Sequence, residues 1–94
     1  MQLVDPINVV KVKSVVTHAK ALAFIHRFIT LNGYPPSIRE IGAAVDERSS
    51  AQAKVIVDGI VRRGWLRRVP KIPRGIIITP DGMDVLKYIE ENDL

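Results

Sequence analysis

Apolar residues recur at spacings of three and four in four stretches, and that rhythm lays out most of the chain. From about Ser14 or Thr17 to Leu31, the residues Ala21, Leu22, Ile25, Phe28 and Ile29 fall on one helical stripe, which Phe24 and Leu31 widen. A helix this apolar must pack on two sides or meet a partner. A second, shorter pattern has Ile38, Ile41 and Val45 on its apolar side, Ala43 and Ala44 permitting close approach, and Arg39 pointing away. A third carries Ala53, Ile56, Val57, Ile60 and Val61 toward a core and ends at Gly64. The last has Met83, Val85, Leu86 and Ile89 on one side, with Lys87 and Tyr88 alongside.

The punctuation between these patterns agrees with them. Asn32-Gly33 stops the first, because both residues tolerate a left-handed C-terminal conformation. Tyr34-Pro35-Pro36 is a rigid connector. Ser37 with Glu40 then forms an S-x-x-E capping box, in which each side chain bonds the other residue's backbone amide. The polar break Asp46-Glu47-Arg48 separates the second and third patterns, with Asp46 where a positive φ is tolerable, and Ser49 or Ser50 caps the third. Residues 37 to 64 therefore predict a helix-turn-helix. Trp65 to Val69 reads as a strand, Pro70 to Gly75 as a turn and Ile76 to Thr79 as a returning strand, which together make a wing. Thr79-Pro80-Asp81 has the cap, first-position proline and acid that open a helix. Residues 1 to 13 alternate too loosely to assign, although Pro6 suits a first helical position. The predicted fold class is mainly α (α+β): a winged helix-turn-helix of three helices and a two-stranded wing, with an extra C-terminal helix. Residues 1–13 form an N-terminal arm and 14–79 the winged domain. Residues 80–94 form an acidic amphipathic helix that is a candidate dimerisation element through Met83, Val85, Leu86 and Ile89.

Charge adds a direction to this scaffold. The formal net charge of the 94 residues is +4, yet Arg62, Arg63, Arg67, Arg68, Lys71 and Arg74 stand together with no acid among them. Such a block suits a polyanion, since binding releases condensed counterions. The C-terminal stretch is the reverse, with Asp81, Asp84, Glu90, Glu91 and Asp93 against Lys87. On the third helix, residues 49–63, the face opposite the core offers Ser49, Ser50, Ala51, Gln52, Lys54 and Val55. Small and polar residues in the first turns permit entry into a major groove. Gln pairs with adenine, Lys donates to guanine, and Ala or Val meets a thymine methyl. Val55 is the most telling of these, because an apolar residue on a polar face needs a reason. Arg67, Arg68, Lys71 and Arg74 on the wing, residues 67–74, suit the backbone or minor groove, and Arg39 suits a phosphate.

Other chemistries find little support. There is no cysteine, and two histidines, His18 and His26, are too few for an all-histidine metal site. No triad, Gly-rich phosphate loop or carboxylate dyad is present; Ser37 and Ser49 serve as caps. We expect no catalytic residue, metal or cofactor. No apolar run approaches the roughly 20 residues that span a bilayer, and the N-terminus lacks the basic start of a signal peptide. A soluble cytoplasmic protein is expected, with double-stranded DNA and a second copy of the chain as partners, and no membrane or small-molecule substrate. The alternative is a winged-helix protein–protein interaction module in replication, transcription or anti-defence machinery, working through the acidic tail and the apolar first helix.

Residues from about Ala19 to Ile78 resemble the N-terminal winged-helix DNA-binding domain of LexA repressors. The similar pieces are FIHRFITLNGYPPSIREIGAAV, SSAQAKVIVDGIVRRGWLRR and the P-x-x-P-R-G-I segment from Pro70 to Ile76. The most specific is the G-x-P-P-[ST]-x-x-E-I run, here Gly33 to Ile41. The resemblance implies a sequence-specific repressor that binds operators as a dimer, with base-reading positions at Ser49, Ala51, Gln52, Lys54 and Val55. These residue types differ from those of the best-known members, so the operator does not carry over. The turn differs too, having Asp46-Glu47 where the family has glycine and an apolar residue. LexA repressors continue into a self-cleaving peptidase domain, for which a chain ending at Leu94 has no room. The T-P-x-G helix at Thr79 is instead similar to the dimerising C-terminal helix of MarR- and PadR-like regulators. The expectation is a small stand-alone regulator, of the kind carried by phages, plasmids or other mobile elements.

Overall fold

The computed structural model describes the backbone of residues 6–45 and 50–92, and the side chains of residues 15–45 and 52–92. Its elements run α1 (Pro6–Asn32), α2 (Ile38–Ala44), α3 (Ser50–Arg62), β1 (Leu66–Arg68), β2 (Ile76–Ile78) and α4 (Pro80–Glu91). This is a winged helix-turn-helix with an additional C-terminal helix. The turn Asp46-Glu47-Arg48 and Ser49, one of the two candidate caps, lie outside the described residues, as does Asp93.

The helix α1 begins at Pro6, well before the periodic stripe becomes readable. Its fixed φ and missing amide are compatible with a first helical turn, where an amide has no intrahelical partner. At the other end, Leu31 does not widen the buried stripe but is exposed. At about 100° per residue, the nine positions from Leu22 to Leu31 carry the chain to the opposite side of the helix.

One core joins the elements. Ala21, Leu22 and Ile25 of α1 meet Ile41 of α2, Ile56, Val57 and Ile60 of α3, and Leu66 and Ile76 of the wing. Burying one such side chain contributes roughly 1.5–3 kcal/mol. Val61 and Ile29 pack at its edge. Phe28 instead stacks between Phe24 and Tyr34, with centroids 5.8 Å and 5.6 Å away. In α2 the close approach falls to Gly42, which is buried, while Ala43 and Ala44 are exposed.

The wing strands are antiparallel, pairing Leu66 with Ile78, Arg67 with Ile77 and Arg68 with Ile76. Each strand is three residues long, shorter than the sequence pattern suggests. Beyond them the Val69 amide still donates to the Gly75 carbonyl at 2.8 Å. The base of the wing is fastened to the body at Gly64, whose φ of +82° lets α3 end and the chain turn into β1. Thr79 donates its hydroxyl to the Gly64 carbonyl at 2.5 Å and accepts from the Gly82 amide at 3.0 Å, capping α4. Gly82 permits this junction, because a Cβ there would lie 2.2 Å from the Trp65 carbonyl oxygen.

The apolar side of α4 is divided. Val85 and Leu86 pack against the chain's own core, Met83 is exposed, and Ile89 lines a groove against α1. Two of the four residues expected on a dimer surface are thus occupied within the chain, because α4 folds back onto α1. No helix among the described residues is long and apolar enough to cross a membrane.

Candidate nucleic-acid interface

The face of α3 turned from the core begins the site. Ala53, Ile56, Val57 and Ile60 are buried, which leaves Gln52, Lys54 and Val55 exposed. Val55 is 57% exposed despite being apolar. On a helical wheel Val55, Asp58 and Arg62 follow the outermost line, and Gln52 and Lys54 flank it. Ser50 and Ala51 lie in the first turn of α3, and their side chains lie outside the described residues. Lys54 makes no ion pair among the described residues.

Asp58, which the sequence reading passed over, sits on that outer line. It is partnered by Arg68, with Nη1 3.6 Å from Oδ1. Both groups are substantially exposed, so the pair contributes at most about 1 kcal/mol to stability. Its larger consequence is electrostatic: an acid on the outward face of α3 is offset by a wing base. The spacing of three from the exposed Val55 to Asp58 is the signal that reveals it.

The wing presents its cations unequally. Arg67 pairs with Ile77 on the outer face of the ribbon, and both are exposed. Lys71 stands at the tip with a φ of 67°. Neither has an ion-pair partner among the described residues. Arg68 leans toward α3, as described. Arg74 does not project: its Nη1 donates to Glu40 Oε1 at 2.5 Å and to the Pro35 carbonyl at 3.1 Å. The same guanidinium lies 5.2 Å from the Tyr34 ring centroid.

In α2 the capping box is complete. The Ser37 amide donates to Glu40 Oε1 at 2.8 Å, and the Glu40 amide donates to Ser37 Oγ at 3.1 Å. Those bonds and the Arg74 guanidinium hold the Glu40 carboxyl below the usual carboxylate range, the Ser37 amide contributing most. The amides of Ser37 and Glu40 are therefore engaged, and Arg39 remains as an exposed side chain.

His18 is the second unforeseen participant. Arg63 donates from Nε to His18 Nδ1 at 2.7 Å and covers the Trp65 ring at 5.3 Å. The imidazole ring lies close against Gly59 of α3. Burial first, then Arg63 and Arg62, push the His18 pKa below its ordinary value. A sequence separation of 45 between His18 and Arg63 carries no periodic signal that could have announced this contact.

Together these elements form a capped helix-turn-helix, an exposed face on its second helix and a wing beside it with open cations. The profile described as the LexA DNA binding domain matches residues 16–75. The chain belongs to the LexA DNA-binding domain family. Similar relatives include the LexA repressor of Limosilactobacillus fermentum, 38% identical over 69% of this chain and 31% of that protein. The LexA repressor of Anaeromyxobacter sp. (strain Fw109-5) is 45% identical over 71% of this chain and 29% of its own length. That of Moorella thermoacetica is 43% identical over 66% and 31%. The chain thus spans less than a third of the length of these relatives. The matched region runs from the middle of α1 through the wing tip and contains the whole LexA-like helix-turn-helix, while α4 lies beyond it. The family so identified is a DNA-binding domain rather than a catalytic one.

Proposed function

We propose that this chain is a sequence-specific double-stranded-DNA-binding transcriptional repressor of the bacterial cytoplasm. The helix α3 enters the major groove, where Ser49, Ser50, Ala51, Gln52, Lys54 and Val55 meet base edges and methyl groups. Arg67 and Lys71 follow the backbone or minor groove beside it, Arg68 offsets the Asp58 carboxylate on the outward face of α3, and Arg39 reaches a phosphate from α2. The observation that carries this reading is the exposure of Lys54 and Val55 on α3, beside Arg67 and Lys71 of the wing, which have no ion-pair partner among the described residues, in a chain of the LexA DNA-binding family.

The repressor acts as a homodimer. The supporting feature is an apolar groove of about 550 Å³ lined by Val15, Val16, Ala19, Ala23, Phe24 and Ile89. Lys20 and Arg27 also line it. The two helices beside it are oppositely charged: α1 carries Lys11, Lys13, Lys20 and Arg27 with no acid, and α4 carries Asp81, Asp84, Glu90 and Glu91 against Lys87. A second copy docked antiparallel would set the base-rich helix of each protomer against the acid-rich helix of the other. In this arrangement α1 contributes more of the interface than Met83, Val85 and Leu86 of α4.

Selection of bound sites from random duplex DNA, with solution mass measured on the same sample, tests both statements. A palindromic site and a mass of two chains are expected, with half-site spacing reporting the separation of the two α3 helices. No duplex binding at low salt would overturn the DNA reading. Capture of a protein partner unaffected by Arg67→Ala would favour an interaction module.

A further inference from the structure

The two stretches most diagnostic in the sequence, Gly33 to Ile41 and Pro70 to Ile76, meet at one carboxylate. Glu40 Oε1 accepts from the Ser37 amide at 2.8 Å and from Arg74 Nη1 at 2.5 Å. One oxygen thus closes the cap of α2 and holds the returning end of the wing. The guanidinium is fixed on two further sides, by the Pro35 carbonyl at 3.1 Å and the Tyr34 ring. Arg74 also has a φ of 57°, in the left-handed region that residues with a Cβ seldom occupy. Lys71 in the same turn shares that conformation at φ 67°, so the turn sets both backbones, and it is the side-chain contacts that distinguish Arg74. The ribbon it terminates has three residues per strand. A two-stranded ribbon of that length is marginal without support.

We infer that Glu40 and Arg74 are positioning residues that latch the wing to the helix-turn-helix, and that Arg74 is not primarily a phosphate contact. The inference rests on the DNA-binding reading above. Their bond fixes the angle between the wing and α2, and α2 packs on α3. Arg67 and Lys71 are thereby set at the backbone when α3 enters the groove. The ordering of the wing is completed during folding and is not charged against binding.

The latch has a consequence opposite in sign to simple electrostatics. Glu40 is an anion in a protein that binds a polyanion, so charge alone predicts that Glu40→Gln tightens binding. The latch predicts that it weakens binding. Glutamine still completes a capping box, so the start of α2 is preserved, while the bond to Arg74 loses the charge on its acceptor and with it much of its strength. The test compares wild type, Glu40→Gln, Arg74→Ala, Arg74→Lys and the double variant Glu40→Gln/Arg74→Ala. Each is titrated with a duplex bearing the selected site and with random-sequence duplex, at several salt concentrations below the melting transition. Each single change is expected to weaken binding to both duplexes roughly five- to tenfold, and the double no more than either alone, as for partners in one interaction. The salt slope is expected to stay unchanged, and Arg74→Lys to restore only part of the affinity, since lysine lacks the planar fork. Unchanged or tighter binding by Glu40→Gln overturns the latch. So does a slope lowered by about one in Arg74→Ala with additive losses in the double, the signature of a phosphate contact. Hydrogen exchange decides the latch without DNA: Glu40→Gln should speed exchange at the Val69 and Gly75 amides, and unchanged rates would overturn it. If the wild type binds no duplex, the DNA reading falls, and the exchange rates still settle the latch.

Discussion

Arg67 and Arg74 stand at opposite ends of the same wing and have opposite surroundings. Arg67 is exposed, faces outward opposite Ile77 and has no internal partner among the described residues. Arg74 touches Glu40, Pro35 and Tyr34. The same division runs through the whole basic block: Arg63 is taken by His18 and Trp65, and Arg68 by Asp58, while Arg62 and Lys71 have no ion-pair partner among the described residues. A run of positive charge that looks uniform in sequence therefore separates into cations that hold the domain together and cations available to a polyanion. The difference teaches that charge density locates a binding face only coarsely. Internal acceptors decide which of its members can reach a ligand.

The comparison breaks most visibly at the open cations. Arg67→Ala with Lys71→Ala is expected to weaken binding to every duplex on the order of a hundredfold, at about 1.4 kcal/mol per charge-assisted contact. It should lower the log–log salt slope by about two and leave the melting temperature unchanged. A melting temperature that falls with affinity would place these residues with the structural group. Next in size, Lys54→Ala should cost about 1–3 kcal/mol at one position of the site and relax preference there. Competition between duplexes differing at single base pairs measures it.

For a member of the structural group, the expected pattern inverts. Arg63→Ala removes a hydrogen bond and a cation–π contact, together about 1–2 kcal/mol, so the melting temperature should drop by several degrees while affinity well below the transition is retained. The same contact carries a pH dependence. The folded-state pKa of His18 is lowered, so the unfolded chain takes up the proton first. The stability it contributes is complete above the ordinary histidine value of about 6.5, and is lost as the pH falls from there through the lowered folded-state value. Melting temperatures between neutral and mildly acid pH should therefore decline in the wild type, and decline less in His18→Gln. The smallest effect is expected at Arg68→Ala. Stability should fall by less than about 1 kcal/mol, and DNA binding should weaken because Asp58 is left unopposed on the outward face. Adding Asp58→Asn should recover much of that loss, and failure to recover would mean that Arg68 contacts DNA itself.

Helical period, caps and turn residues were enough to read the architecture from the chain. Ser37 with Glu40 and Thr79 with Pro80 form the caps that their residue types announce. Ala53, Ile56, Val57 and Ile60 are buried as their spacing requires. These features are legible because each depends on residues no more than about four positions apart, within reach of one helical turn or one side chain. Leu31 marks the limit of that reading, since its apolar character masked a phase that had already rotated out of the core.

The sequence by itself determined a winged helix-turn-helix with an outward face on α3 and a basic wing. Tertiary structure alone decided how the charges divide, and where the apolar side of α4 goes. Val85 and Leu86 could have faced another chain, and they pack on this one because α4 starts from a junction bolted to Trp65 and Gly64 and so lies along α1. Arg74 belongs by sequence to an undivided basic run, and it bonds Glu40 because the turn of the wing brings residues 34 apart in sequence to hydrogen-bonding distance. Pairings of that kind have no local period, and only the packed chain selects among them.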